Sequence, residues 1–284
     1  MVSVRRFVQD EPVLFKATQD FVSMFADVPD PVLSVARRAN GLNAQMAWTL
    51  LGTALFQDRS YTEIARLLEA LYAKFPDEAL WTLPVPAAGD INDVVVDTFG
   101  SRNWSLFEHV AGIFWSVGLF ARRHVDLAAW ARERTPEEMW RDLGEIYFMG
   151  KASVRPKACA AIYRLLAPAP FGLGVEFRRE VPPAGARKPR AVMPPLPLTM
   201  GARRFLAILG PARDSGFADL KPEKKQMLAN EFFAALSRDL PYRSAHALQF
   251  YLEAGEQDYI CREKTAACAN CPLYVFCDYA LRRE

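Results

Sequence analysis

Four of the five cysteines lie within seventeen residues near the C-terminus, and this crowding constrains the fold more than any other feature of the sequence. Cys261, Cys268, Cys271 and Cys277 form the spacing C-x6-C-x2-C-x5-C. In a cytosolic chain such crowding indicates metal binding rather than disulfides. Thiolates are soft ligands, and four of them can hold either a zinc ion or a cubane iron–sulfur cluster. The segment 261–277 is therefore predicted to fold around an inorganic centre.

The spacing of these cysteines favours one of the two centres. Structural zinc sites usually use two short chelating pairs joined by a longer loop, whereas this chain has a single C-x2-C pair. A cluster with four iron corners suits the unequal outer spacings better. We therefore predict a 4Fe–4S cluster, with zinc or ordinary reduced cysteines as the alternatives. The fifth cysteine, Cys159, lies in an alanine-rich stretch and is interpreted as a small buried hydrophobe.

Apolar residues recur at helical rather than alternating spacing along most of the chain, which predicts an all-α class. Two helix starts are indicated, a capping-box pattern at Ser60 and Glu63 and a Thr-Pro-Glu-Glu pattern at Thr135. Among the histidines, His109 and His246 are expected at core or boundary positions, and His124 is expected to be exposed. The segments predicted to be helical are 44–56, 104–120, 155–166, 200–209, 222–239 and 243–254.

Composition and charge narrow the class of protein further. Half of the residues are hydrophobic, which is ample for a packed core, yet no run approaches the length of a membrane span. The first residues lack the pattern of a signal peptide. We therefore expect a soluble cytoplasmic monomer without membrane contact. The formal net charge of +2 does not indicate a nucleic-acid partner, so any DNA-binding case rests on local basic patches.

One stretch, residues 167–197, breaks the helical pattern. It holds eight prolines, a composition that cannot sustain a helix and that predicts a long connecting segment. A solvated linker is the expected role, and a basic arm that touches phosphates is the alternative. Its basic residues are Arg178, Arg179, Arg187, Lys188 and Arg190.

The cysteine spacing, with Pro272 and Leu273 directly after the third cysteine, resembles the cluster loop of endonuclease III and the adenine DNA glycosylases. These proteins belong to the helix–hairpin–helix glycosylase superfamily. The resemblance implies a two-lobed helical fold, a 4Fe–4S cluster, double-stranded DNA as the partner and base-excision repair as the function. In that family the loop between the first two cysteines presents basic side chains to DNA phosphates. Arg262 and Lys264 stand there in this chain, with plain solvated charges as the alternative.

The resemblance also extends to two segments upstream. Gln57 follows a long apolar segment, where family members carry a glutamine that probes the duplex. The family's hairpin, Leu-Pro-Gly-x-Gly, corresponds to a stretch with one glycine, Gly150, followed by Lys151, Arg155 and Lys157. Backbone N–H groups of such a turn bind a phosphate. We predict a degenerate phosphate-binding hairpin, with an ordinary helix–turn–helix connection as the alternative.

The family's catalytic residues are not matched. Its aspartate opens a helix, and Thr199 stands at that position here, where it can cap the helix but offers no charge. Bifunctional members use a hairpin lysine that forms a Schiff base with the sugar. Lys151 and Lys157 are the candidates, although neither stands two residues after a second glycine. Glu176 and Glu180 are candidates for a substitute acid, with plain solvent exposure as the alternative.

The expected organisation follows from these assignments. Residues 1–42 form N-terminal helices that pack on the cluster lobe, and residues 43–166 form a helical barrel lobe that ends in the hairpin. Residues 167–197 form the linker, and residues 198–284 form the C-terminal lobe with the cluster loop. The cluster is expected to be structural.

Three functions are compatible with the sequence. The first is a base-excision DNA N-glycosylase with an altered active site, with or without lyase activity at abasic sites. The second is a relative that recognises damaged or mismatched DNA, or an unusual DNA structure, without catalysis. The third is an iron–sulfur redox or sensor protein with no DNA role. In the first two cases the protein is expected to associate with the nucleoid.

Overall fold

The computed structural model describes residues 3–56, 59, 61–150, 156–179, 196–213, 216–251, 261, 268 and 271–277. About two thirds of these described residues are helical (67%), and no strand occurs among them, which confirms the all-α class. The α-helices are, in chain order, α1 (Val4–Asp10), α2 (Pro12–Phe25), α3 (Pro31–Ala36), α4 (Leu42–Ala54), α5 (Tyr61–Lys74), α6 (Ala88–Phe99), α7 (Val110–His124), α8 (Leu127–Arg132), α9 (Pro136–Asp142), α10 (Pro156–Leu166), α11 (Met200–Ile208), α12 (Pro222–Leu236) and α13 (Pro241–Ala247).

The chain divides into two compact units. The central unit spans Pro29–Pro194, and the terminal unit combines Met1–Val28 with Pro195–Glu284. The sequence placed the first boundary at residue 42, fourteen residues later than the structure does. The difference arises because α3 packs on α4 and α5, where its Val32 and Leu33 side chains are fully buried. Among the described residues, none of the helices is both long enough and apolar enough to cross a bilayer.

The core of the central unit is built around α4. Ten of its thirteen residues are buried, so the helix is apolar on all sides and can only lie inside a bundle. Helices α3, α7, α8 and α10 all contact it. Gly52 permits the close approach of α3 and α5, because a Cβ there would lie 2.8 Å from both Val32 and Leu68 side-chain atoms. The packing therefore requires a residue without a side chain at position 52.

The structure confirms the helix start that was predicted at Thr135. Its hydroxyl accepts a hydrogen bond from the Glu138 N–H, and the Glu138 carboxylate accepts one from the Thr135 N–H in return. The other capping-box pattern begins at Ser60, which lies outside the described residues. The apolar stripe that follows it is fully buried, as its helical spacing predicted. It consists of Ile64, Leu67, Leu68 and Leu71.

The start of the proline-rich stretch differs from a solvated linker. The Leu173 N–H donates to the Arg164 carbonyl at 2.8 Å, and Val175 is buried. The Arg178 N–H donates to a backbone carbonyl at 2.9 Å, and its guanidinium pairs with both carboxylate oxygens of Glu138. These contacts attach residues 167–178 to the central unit. The basic residues Arg187, Lys188 and Arg190 lie outside the described part of the chain.

Aromatic rings form the core of the terminal unit. Phe205 of α11 stacks on Phe232 of α12 at 5.8 Å between ring centroids, and its other neighbour is Tyr251 at 5.3 Å. Phe21 of α2 contacts the same tyrosine edge-on. These rings fix the 3₁₀ turn Leu248–Tyr251, which precedes the cysteine segment (residues 261–277). His246 is buried in this unit, and its Nε2 lies 3.0 Å from the Val28 carbonyl oxygen, as expected for a satisfied core histidine.

Candidate functional site

Successive hydrogen bonds join the backbone at three of the four clustered cysteines. The N–H of Cys271 donates to the carbonyl of Cys268, that of Tyr274 to Cys271, and that of Cys277 to Tyr274, each at 3.0 Å. Each of these bonds spans three residues, so the backbone at the three cysteines is linked locally.

The fourth thiol reaches the same group from the preceding 3₁₀ turn. The backbone N–H of Cys261 points to the Tyr251 carbonyl at 3.4 Å, and the Tyr251 hydroxyl hydrogen-bonds the Cys261 thiol. Burial raises the pKa of the Tyr251 hydroxyl, and the nearby Cys261, Cys277 and Cys271 raise it further. Because Tyr251 is almost fully buried, its phenol is a fixed partner for the first cysteine.

The pKa of the Cys271 thiol depends on the other three cysteines. Burial raises this pKa to about 11, and Cys261, Cys277 and Cys268 each add to the effect. The N–H of Leu273 donates to the Cys271 sulfur and opposes this shift. A positively charged metal centre would reverse the balance by stabilising the thiolates.

The residues present suit an iron–sulfur cluster in their chemistry. All four cysteines are free of disulfides, and thiolates are the ligands that such clusters take. In the described part of the chain, no three His, Cys, Asp or Glu side chains are arranged to hold a metal ion. A single zinc ion would need its four sulfur ligands to converge at about 2.3 Å from one point. The cysteines are thus grouped, but not converged on a single ion.

Thr199 occupies the position at which the family resemblance expects a carboxylate. It is the N-cap of α11, where its hydroxyl accepts a hydrogen bond from the Ala202 N–H at 3.2 Å. Two residues later, Gly201 packs directly on the 3₁₀ turn that leads towards the cysteines. A Cβ at Gly201 would lie 2.4 Å from the carbonyl oxygens of Leu248 and Gln249. The helix end and the cysteine segment are therefore connected within the terminal unit.

The candidate lysine of the hairpin helix binds a helix end in the central unit. Lys157 Nζ donates to the Ala54 carbonyl, the last residue of α4, at 2.8 Å, and lies 5.6 Å from the Phe148 ring centroid. Both the carbonyl oxygen and the ring face favour the charged ammonium over the neutral amine that a nucleophile requires. Lys157 thus connects the helix after the hairpin to the end of α4.

Of the predicted hairpin turn, the structure describes the residues that lead into it, up to Gly150. Gly150 has a φ of +103°, a conformation that side chains disfavour, and Phe148 has a φ of +66° although it is not a glycine. The polar candidates Gln57, Lys151, Arg155, Arg262 and Lys264 lie outside the described residues. Of the candidate acids, Glu176 is exposed in the central unit, and Glu180 lies outside the described residues.

The sequence analysis did not predict two groups of interacting side chains in the central unit. Arg164 and Asp30 form a buried ion pair, with 2.7 Å between Nε and Oδ2. His109 is partly exposed and contacts two aromatic rings, those of Tyr147 and Phe148. The only sequence signal for the second grouping is the Tyr-Phe pair just before Gly150. His124, expected to be exposed, is half-buried.

Comparison of the chain with models of known protein families gave no match. Comparisons with curated proteins and with solved structures gave none either.

Proposed function

We propose that this protein holds a 4Fe–4S cluster through Cys261, Cys268, Cys271 and Cys277 and binds double-stranded DNA at damaged or mismatched bases. The observation that carries the proposal is that hydrogen-bonded turns join Cys268, Cys271 and Cys277, while the buried Tyr251 hydrogen-bonds Cys261. The cluster would supply a rigid centre for a segment with little core of its own. The fold would resemble that of the helix–hairpin–helix DNA glycosylases, two-lobed with a cluster loop.

The DNA part of the proposal rests on the hairpin. Its entry has the positive φ at Gly150 that a glycine turn of this kind needs, and α10 begins a few residues later. The turn would bind a backbone phosphate through its N–H groups, and the basic residues around it would add salt-dependent attraction. Arg262 and Lys264, between the first two cysteines, would add a second phosphate contact.

The chemistry at Thr199 favours recognition over base excision. A neutral hydroxyl that caps α11 cannot stabilise the positive charge that develops on the sugar as a base leaves. Lys157, bound to the Ala54 carbonyl, is poorly prepared for Schiff-base formation. Recognition of a lesion or of an unusual DNA structure without glycosylase activity is therefore favoured, and base excision is the second candidate function.

Metal analysis tests the cluster. Protein purified without oxygen should contain iron and acid-labile sulfide in a ratio near one, and Cys268→Ser should lose both together with the brown colour. Cys159→Ala is the matched control, because Cys159 is buried in α10 of the other unit and should leave the iron content unchanged. Stoichiometric zinc without sulfide in the wild-type protein would refute the proposed cluster.

Binding to oligonucleotides tests the DNA role. The protein should bind duplexes at low salt and prefer those with a mismatch, a damaged base or an abasic site. Reversing the charge at Arg262 and Lys264 should weaken binding to all sequences and reduce its salt dependence. Borohydride trapping detects any Schiff base, and base-release assays detect glycosylase activity. An iron-loaded protein that binds no duplex DNA at low salt would instead be the redox or sensor protein.

A further inference from the structure

Three aromatic side chains form a compact group at the entry of the hairpin. We call His109, Tyr147 and Phe148 the Tyr147 cluster. The ring centroids of Tyr147 and Phe148 are 4.7 Å apart, and that of His109 lies 5.7 Å from the first and 4.9 Å from the second. All three residues belong to the central unit. The group is a candidate binding surface because one of its rings remains open to solvent.

Tyr147 is held firmly although 44% of it is exposed. Its ring rests on α7 at Gly112, where even a Cβ would approach the ring carbons to 3.4 Å. Its N–H donates to the Ser116 hydroxyl, and its own hydroxyl shares a hydrogen bond with His109 Nδ1, both at 3.1 Å. An aromatic ring fixed on one side and open on the other is prepared for stacking without further loss of conformational entropy.

The backbone at this point is strained. Phe148 has a φ of +66°, which is rare for a bulky residue and costs about 1–3 kcal/mol at sites where the surrounding contacts enforce it. The Phe148 ring contacts the His109 ring and lies 5.6 Å from the Lys157 ammonium. Strain of this kind concentrates at binding sites.

The chemistry of the cluster selects one class of ligand. Isolated exposed tyrosines are common on protein surfaces, but this one is seated on a glycine and hydrogen-bonded to a histidine, and the ring of its neighbour Phe148 lies 5.6 Å from a lysine ammonium. A planar ring matches the exposed aromatic side chain of Tyr147, and the cation beside Phe148 suits the phosphate that accompanies a nucleotide. Nucleic-acid-binding proteins use aromatic side chains in this way, because every base has a π face.

We propose that Tyr147 is a stacking platform for one nucleobase that has left the duplex stack. The platform rests on the proposed DNA-binding function and adds to it a residue that favours unpaired bases. An unpaired or mismatched base costs less to extrude than a paired one. The platform would therefore increase the preference of the protein for duplexes that contain such a base, while it contributes little to binding of a fully paired duplex.

Two substitutions at the same position separate stacking from folding. Tyr147→Leu keeps an apolar side chain but removes the aromatic face, and Tyr147→Phe keeps the face but removes the hydrogen bond to His109. Leu119→Ala is a matched surface control, since Leu119 lies on α7, the helix against which Tyr147 packs, and is half exposed. The unfolding temperature of each variant shows whether the central unit is intact.

The experiment compares the affinities of each protein for a fully paired duplex and for the same duplex with one bulged 2-aminopurine. Tyr147→Leu should weaken binding to the bulged duplex by about 5-fold to 150-fold, the range that aromatic stacking of one base accounts for. Its affinity for the paired duplex should remain unchanged. Tyr147→Phe and Leu119→Ala should behave like wild type. The 2-aminopurine fluorescence should be quenched on binding to wild type and not to Tyr147→Leu.

Each outcome shows whether the stacking platform, the DNA-binding function or both are refuted. If wild type binds the paired duplex, and Tyr147→Leu binds the bulged duplex as tightly as wild type does, the platform is refuted while the DNA-binding function stands. If Tyr147→Leu weakens both duplexes equally, Tyr147 contacts the backbone or supports the fold, and the platform is again refuted. If wild type binds neither duplex, the proposed function fails and the platform fails with it.

Discussion

Asp30→Asn is expected to lower the free energy of unfolding of the central unit by about 3–5 kcal/mol, because it removes one partner of a buried ion pair. Arg164 Nε donates to Asp30 Oδ2 at 2.7 Å, and the two side chains are only 3% and 4% exposed. Asparagine nearly matches the shape of aspartate and can still accept the Val32 N–H that caps α3. The substitution therefore isolates the loss of the charge.

The magnitude follows from the burial of the pair. Arg164 also donates to the Thr53 hydroxyl at 3.1 Å from Nη1 and lies 5.4 Å from the Phe56 ring, and neither of these groups carries a negative charge. A loss of 3–5 kcal/mol is a large share of the about 5–15 kcal/mol that stabilises a typical domain. Asp30→Ala should cost about 1 kcal/mol more, since it also removes the helix cap.

A double variant distinguishes the ion pair from simple misfolding. Asp30→Asn combined with Arg164→Met removes both charges, and it should recover most of the stability that the single change loses. Tryptophan fluorescence is the appropriate probe, because every tryptophan of the chain lies in the central unit. Urea titrations give the free energies. A cost below about 1 kcal/mol for Asp30→Asn, or a double variant no more stable than the single one, would refute the reasoning.

Three other perturbations test separate features. Burial lowers the pKa of His124 beside Trp130, so the unfolded chain binds the proton more readily than the folded one. The central unit should therefore lose stability as pH falls below about 6.5. His124→Gln should flatten this pH dependence in urea titrations, and an unchanged pH profile would contradict the reasoning. Thr135→Ala, which breaks the reciprocal cap with Glu138, should cost about 1 kcal/mol by the same assay, and a cost near zero would mean that the cap is dispensable. Thr199→Asp should keep α11 capped and add a carboxylate, so base release from damaged duplexes should appear; intact DNA binding without release would show that more than the carboxylate is missing.

Local sequence patterns predicted the local structure well. The capping box at Thr135 and the buried stripe that begins at Ile64 both follow from interactions between residues three or four positions apart. The hydrogen-bonded turns at Cys268, Cys271 and Cys277 are also local, but the sequence analysis predicted only ligands there and not the turns. Patterns of this kind need no knowledge of the tertiary fold.

Features that depend on distant residues were not predictable. Asp30 and Arg164 are separated by 134 positions, and no periodicity connects them. The same holds for His109 and Tyr147, which only the packing of the hairpin entry on α7 brings together. The first domain boundary was misplaced for a related reason. Helix α3 is short, and its assignment to one unit depends on the partners it packs on rather than on its own sequence.

The two units have different sources of stability. In the cysteine segment, Leu273 and Cys277 are the buried side chains among the described residues. Tyr251 contacts Cys261, and on the proposed function a cluster binds all four thiols. The central unit instead has a continuous apolar core around α4. Loss of the cluster should therefore unfold the cysteine segment locally and remove its basic loop from the DNA, while the hairpin and the Tyr147 cluster keep their structure.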